Sequence, residues 1–212
     1  MGLLFPLALA YAAGCLSFAS LVARAHGVDI RAQGSGNPGA TNVGRVLGKR
    51  WGRLVMALDM LKGFLPVLLL SVEPPLTASR WWVDPEGKSL LLACAIAGHV
   101  APIYAPLRGG KGVATFFGGL LAFHWPLAIV AAATHLLVRR ATGFVSLASV
   151  AMAASVPAAQ ALCLAVGWST RGGVAVTAAV AALITLRHAS NFGRIRAGTE
   201  SRHGQRAHPE QH

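Results

Sequence analysis

Six apolar runs divide this chain, at about residues 3–23, 54–72, 89–104, 113–138, 144–166 and 174–186. A bilayer core of about 30 Å asks for about 20 apolar residues in a helical span. In hydrocarbon every backbone N–H and C=O must find its partner within the protein, so runs of this kind are confined to helices. Composition agrees. Apolar residues make up 54% of the chain and charged residues only 12%, about half the charged share of a soluble domain, and the mean hydropathy is +0.55. No basic residue precedes the first run, and it is long enough to span, so it reads as a retained first helix, not a cleaved leader.

Charge between the runs sets the expected topology. Residues 24–53 carry six basic side chains against Asp29 alone, which places them on the cytoplasmic side. Residues 73–88 hold two basic and three acidic side chains, with Trp81 and Trp82 at an interfacial position, and should lie outside. The stretch around Arg108 and Lys111 then returns inside, and so does the arginine-rich tail after residue 186. Run 113–138 decides the count. A single crossing would put Arg139, Arg140 and the tail outside, against the charge rule. A hairpin of two short helices broken near His124-Trp125-Pro126 returns both inside. The expected fold is therefore an all-α integral membrane protein, a seven-helix bundle of five long spans plus that hairpin. Its N-terminus is outside and its C-terminus cytoplasmic. A hairpin that does not cross gives five full spans, and the sequence alone leaves both open. Residues 1–200 read as one membrane domain, and 201–212 as a basic, disordered cytoplasmic tail without an assigned role.

Three polar loops fall on the cytoplasmic face in this arrangement. The first is Gly34-Ser35-Gly36-Asn37-Pro38-Gly39-Ala40-Thr41-Asn42, followed by Arg45. The second is Arg108-Gly109-Gly110-Lys111-Gly112, and the third runs from Arg187-His188-Ala189-Ser190-Asn191 to Gly198-Thr199-Glu200. Bare glycine backbone lets N–H groups converge on an anion, and Arg or Lys supplies charge. The first loop is not a nucleotide-binding P-loop, because no Lys-Ser/Thr pair follows its last glycine. Arg45 is a fork-shaped donor suited to a phosphate dianion, whereas Lys49, Arg50 and Arg53 suit lipid headgroups. Lys111 stands where a helix begins, so the dipole there favours an anion. His188 and Asn191, three apart, share one face of a helix end. Ser146 opens another helix and adds a hydroxyl.

The remaining polar residues read as structural. Asp59 and Lys62 sit one turn apart inside the second run, the spacing of a buried ion pair. His99 reads as a structural partner, and His124 and His135 as packed among apolar neighbours. Cys15, Cys94 and Cys163 lie singly in apolar runs, so neither a disulfide nor a zinc site is indicated. The net charge of +12 flanks membrane spans without interleaved aromatics, which points to anionic lipids and phosphorylated substrates and away from nucleic acid.

As a set these residues resemble the bacterial acyl-phosphate:glycerol-3-phosphate acyltransferase family, the PlsY type. The resemblance spans residues 11–200. It rests on Asp29-Ile30-Arg31 through Asn42 and Arg45, on Leu58-Asp59-Met60-Leu61-Lys62-Gly63, on Gly98-His99 and Gly109 to Thr115, and on Arg187-His188, Asn191 and Gly198-Thr199-Glu200. It implies an enzyme of the bacterial inner membrane with a cytoplasmic active site. It also implies acyl phosphate as donor, supplied by an upstream acyl-phosphate synthase, glycerol 3-phosphate as acceptor and lysophosphatidic acid as product. Where this chain has Tyr104 and Leu107 the family tends to have phenylalanine, a difference that bears on the acyl groove.

Two phosphates held side by side require at least two fixed cations. The expected division gives Ser35, Arg45 and Lys111 to glycerol 3-phosphate, and Thr41, Asn42, Ser146 and the Gly39-Ala40 backbone to the acyl phosphate. His188 and Asn191 are the candidate catalytic residues, by positioning the acceptor or, for His188, as a general base. The activated donor carries its own leaving group, so no enzyme nucleophile, metal or cofactor is expected. Two other classes of function compete: a transporter of phosphorylated metabolites or lipids, and a membrane scaffold for anionic lipid. No inverted repeat supports the first, and the second leaves unexplained why Gly, Ser, Thr and Asn gather beside the arginines.

Overall fold

The computed structural model describes residues 4–70 and 85–202. Residues 73–84 of the expected outer loop, including Trp81 and Trp82, and the tail from residue 203 lie outside the described residues, while residues 85–88 of that loop are instead the first turn of a helix. The described residues form ten α-helices and a short 3-10 turn: α1 Leu4–Cys15, α2 Phe18–Ala25, α3 Ala40–Val46, α4 Lys49–Leu70, α5 Pro85–Val100, α6 Val113–Phe123, α7 Trp125–Thr142, α8 Val145–Cys163, α9 Arg171–Arg187 and α10 Ala189–Arg196. Leu4–Ala25 and Val145–Val166 are each long and apolar enough to cross a membrane; α9 and α10 meet the same measure only when joined across the 48° bend at His188.

Two of the expected runs are broken. Run 113–138 stops at His124 and restarts as α7, the break that His124-Trp125-Pro126 predicts. Pro126 lacks the N–H that would continue α6, yet suits the first turn of a new helix. The first run divides at Leu16-Ser17, which periodicity did not foretell. The freed carbonyls there find distant donors: the Tyr104 hydroxyl donates to the Cys15 carbonyl at 2.6 Å, and Lys62 Nζ to that of Leu16 at 2.7 Å. Helix α4 starts five residues before its apolar run, in a turn where the Arg50 guanidinium lies 4.7 Å from the Trp51 ring. The His26 ring meets that of Trp51 edge-on, with centroids 4.3 Å apart. An amphipathic anchor of this kind sits well at a headgroup boundary.

Helix α5 is the axis of the bundle, packed on α1, α4, α6 and α9. Its Leu91, Leu92, Ile96 and Val100 join Phe116 and Leu120 of α6, Val156 of α8 and Ile184 of α9 in the main core. A smaller core of Ala19, Ala23, Ile30, Val43 and Val55 seats the first polar loop and α3 against α2 and α4. Between membrane helices association rests on close packing of small residues, since lipid tails are as apolar as leucine. The α4–α6 contact shows this most clearly. A Cβ on Gly63 would strike the Thr115 carbonyl, and one on Gly118 that of Met60. Gly118→Ala must therefore push the two backbones apart. Overpacking of this sort costs about 1–3 kcal/mol, so the thermal midpoint in detergent should fall by several degrees, about 2–4 °C per kcal/mol for a chain this size. An unchanged midpoint would show that the contact yields freely.

Candidate active site

The three polar loops meet at one end of the bundle around a cleft of about 450 Å³. Five of its lining side chains are cationic: Arg31, Arg108, Lys111, Arg187 and Arg194. Ser35, Gly36, Asn37 and Ser190 line it as well. So strong a concentration of positive charge in one concavity is built for anions.

Each loop is held by its own hydrogen bonds. In the first, Gly34 and Gly36 have φ of 57° and 68°, a conformation that glycine takes without strain. The buried Asn42 side chain clasps the turn. Its amide donates to the carbonyls of Ile30 (3.2 Å) and Gln33 (2.9 Å), and its oxygen accepts from Ser35 N–H (2.9 Å). Asn42 thus spends its polar groups on shaping the loop that carries Ser35 and Asn37. Gly39, Ala40 and the exposed Thr41 form the N-cap and first turn of α3.

In the second loop the glycines do something other than cradle an anion. Gly109 N–H donates to the Val100 carbonyl (3.0 Å) and Gly110 N–H to that of His99 (3.1 Å), capping the end of α5. The expectation that these N–H groups converge on a ligand is corrected on this point. What the loop presents is Lys111. Arg187 Nη2 donates to the Gly109 carbonyl at 2.9 Å and Arg31 Nη2 to that of Arg108 at 3.3 Å, so two arginines brace the loop from the neighbouring segments.

The third loop supplies the partners of Lys111. Its ammonium donates to Asn191 Oδ1, Asn191 Nδ2 donates to Glu200 Oε1 at 2.6 Å, and Arg194 Nε donates to Glu200 Oε2 at 2.7 Å. The buried Ser146 hydroxyl stands near the same carboxylate but completes no hydrogen bond among the described residues. Burial alone would raise the Glu200 pKa, but the hydrogen bonds from Asn191 and Arg194, with the nearby Ser146 hydroxyl and the Arg194 charge, outweigh it and hold the group below the usual carboxylate value. The Lys111 pKa is lowered to about 8, first by burial and then by Arg194, Arg45 and Arg187, with Glu200 opposing. His188, just past α9, is 3% exposed, and its Nδ1 lies 2.7 Å from the Ile184 carbonyl. Burial and the Lys111 charge lower its pKa to about 4. At neutral pH the ring is therefore uncharged, with Nδ1–H donated to Ile184 and Nε2 left as an acceptor.

The structure brings Ser35, Lys111, His188, Asn191 and Ser146 into or beside one site. Arg45, half-buried in the last turn of α3, does not line the cleft, although its charge is felt at Lys111. Arg31, Arg187, Arg194 and Glu200 were not assigned roles from the sequence. All four stand within its polar motifs, but only the fold shows which way they turn. A second groove of about 480 Å³ adjoins the cleft, sharing Arg31 and Arg108 and walled by Cys15, Leu16, Leu21 and Tyr104.

Residues 4–198 match the family model described as glycerol-3-phosphate acyltransferase. A glycerol-3-phosphate acyltransferase of Albidiferax ferrireducens is 39% identical over 216 residues, covering 97% of this chain and 92% of its own. One from Cronobacter sakazakii is 40% identical over 195 residues, covering 92% and 88%. The fold is similar to crystal structures of PlsY, an integral membrane glycerol 3-phosphate acyltransferase. The TM-score is 0.81 against its glycerol 3-phosphate form and 0.78 against its lysophosphatidic acid form, each at 34% identity over 96% of both chains.

Proposed function

The chain belongs to the glycerol-3-phosphate acyltransferase family, and from that premise we propose how its cleft carries out the transfer. It is a membrane enzyme that acylates glycerol 3-phosphate to lysophosphatidic acid. In our reading the donor is acyl phosphate, made by an upstream acyl-phosphate synthase. The site faces the cytoplasm of a bacterial inner membrane, within a single domain of residues 1–200. The chain crosses seven times, with the N-terminus outside and the C-terminus in the cytoplasm. The excess of Arg and Lys in the three polar loops supports that orientation.

The observation that carries the reading is the juxtaposition of Lys111 with Asn191, Glu200 and the arginines of the cleft. Two phosphates must lie close together during transfer. Each pair of unit charges at about 5 Å repels by roughly 3 kcal/mol at an effective dielectric constant of about 20. Lys111, Arg31, Arg187 and Arg194 offset that repulsion. Ser35 and Lys111 hold glycerol 3-phosphate, and Arg45, outside the cleft, adds its charge at Lys111. Thr41, the Gly39-Ala40 backbone and Ser146 hold the acyl phosphate, with Asn42 acting through the loop it shapes. The acyl chain lies in the groove beside Leu16, Leu21 and Tyr104, open to lipid.

The 1-hydroxyl of glycerol 3-phosphate attacks the acyl carbonyl carbon. A new ester C–O bond forms, the bond between that carbon and the phosphate oxygen breaks, and inorganic phosphate leaves. The hydroxyl proton needs an acceptor. His188, with a pKa of about 4, is a weaker base than a phosphate group, whose second pKa is about 6. The proton therefore passes to the donor's phosphate as it departs, while His188 Nε2 and Asn191 orient the acceptor.

The test is phosphate release from palmitoyl phosphate by the purified protein in lipid, with and without glycerol 3-phosphate. Release that depends on the acceptor, with one lysophosphatidic acid formed per phosphate, is the expected result. No release in either condition from folded protein would overturn the acyl phosphate assignment.

A further inference from the structure

Behind the GGKG loop lies a buried polar cluster that the transfer itself does not use. Asp59 and Lys62, 2% and 5% exposed, form an ion pair of 2.9 Å on α4. His99, 8% exposed near the end of α5, turns its Nδ1 toward the same Asp59 oxygen at 3.8 Å, and that nitrogen completes no hydrogen bond among the described residues. Charges at such positions are kept only where they do something specific.

What the cluster touches suggests its purpose. Lys62 donates to the Leu16 carbonyl at the break between α1 and α2, and Leu16 walls the groove beside the cleft. His99 faces the other way, under the second loop. Its carbonyl accepts the Gly110 N–H, and its ring occupies the space where a Cβ on Gly110 would stand, against Nε2. Lys111 is the next residue along. One cluster therefore supports both the lysine of the anion cleft and the wall of the apolar groove.

We infer that His99, backed by the Asp59–Lys62 pair, is a positioning residue that sets the height of the Gly109-Gly110 loop and so the place of Lys111. It acts through the loop and not on the substrate. A rigid ring wedged between the buried Asp59–Lys62 pair and Gly110 sets the height of the loop by its bulk, which a smaller side chain would let sink. A displacement of about 1 Å at a binding group can cost about 10²-fold in activity, so a loose loop is felt at the substrate although Lys111 is still present. The inference rests on glycerol 3-phosphate being bound at Lys111.

The experiment measures KM for glycerol 3-phosphate and kcat in His99→Ala, His99→Asn, Gly110→Ala and the double variant Gly110→Ala/His99→Ala, each checked for its thermal midpoint in detergent. His99→Ala is expected to raise KM about 10-fold or more with kcat within about 3-fold of wild type. His99→Asn, which restores a polar side chain facing Asp59 and part of the bulk under Gly110, should recover part of the loss. Gly110→Ala alone should raise KM, because its methyl meets the ring; in the double variant that clash is gone with the ring, so KM should stay no higher than in His99→Ala and well below the product of the two single effects. The double variant also fills the space left by the ring, so it reports even if His99→Ala fails to fold. An unchanged KM in His99→Ala with only a lower midpoint would overturn the inference, as would simple additivity in the double variant. A wild-type protein without acceptor-dependent release would instead sink the assignment of the cleft, a distinct failure seen before any variant is compared.

Discussion

Lys111→Met is expected to lower kcat/KM for glycerol 3-phosphate by about 10³-fold, the scale on which removal of one preorganised charge-stabilising donor is felt in a buried site. The lysine is seated by Asn191 and the braced Gly109-Gly110 loop, so its loss takes away a cation already in place and leaves the loop intact. The pH dependence identifies it more sharply. With a pKa of about 8, the ammonium is charged in roughly nine of ten molecules at pH 7 and loses its proton as pH rises through 8. Since the charged form binds the anion, kcat/KM should fall along an alkaline limb near pH 8. Lys111→Arg keeps a charge at all accessible pH. Its activity should be lower at neutral pH, because a guanidinium fork does not fit the place of an ammonium, and the alkaline limb should vanish. A limb that persists in Lys111→Arg would assign it to another group.

Some of this site was legible in the sequence because its signals are local. Pro126 marks the break before α7, Asp59 and Lys62 stand at ion-pair spacing, and the polar motifs gather on one face by charge alone. The break at Leu16-Ser17 was not legible. Neither proline nor glycine stands there, and the carbonyls it frees are satisfied by side chains 89 and 46 residues away. The work of the GGKG glycines was misread for a similar reason: Gly109 and Gly110 are small so that the loop can lie against the end of α5, a contact that exists only in the fold. Asn42 likewise belongs to a residue type suited to binding substrate, yet three local hydrogen bonds commit it to the turn. Glu200 was visible in its motif but had no partner until α10 turned 48° from α9 and returned it to Asn191 and Arg194.

Glu200→Gln should cost about 10²-fold in kcat/KM, out of proportion to a change that preserves size. The carboxylate accepts from two donors at once, Asn191 Nδ2 and Arg194 Nε. A glutamine amide has one accepting oxygen, so its NH2 must face one of those donors, and a buried unsatisfied group follows. If Asn191 turns to escape the clash, its oxygen leaves Lys111 and the lysine loses its seat. The electrostatic consequence has a definite sign. Glu200 is a neighbour that raises the Lys111 pKa, against burial and three arginines that lower it. Removing the negative charge must push that pKa further down, so the alkaline limb of kcat/KM should move to lower pH in Glu200→Gln. In Glu200→Gln/Lys111→Arg no limb should remain. A Glu200→Gln enzyme that loses activity with its limb unmoved would mean that the carboxylate serves the fold of α10 alone. A limb displaced downward ties Glu200 to the charge state of Lys111, and through it to the anion that the cleft holds.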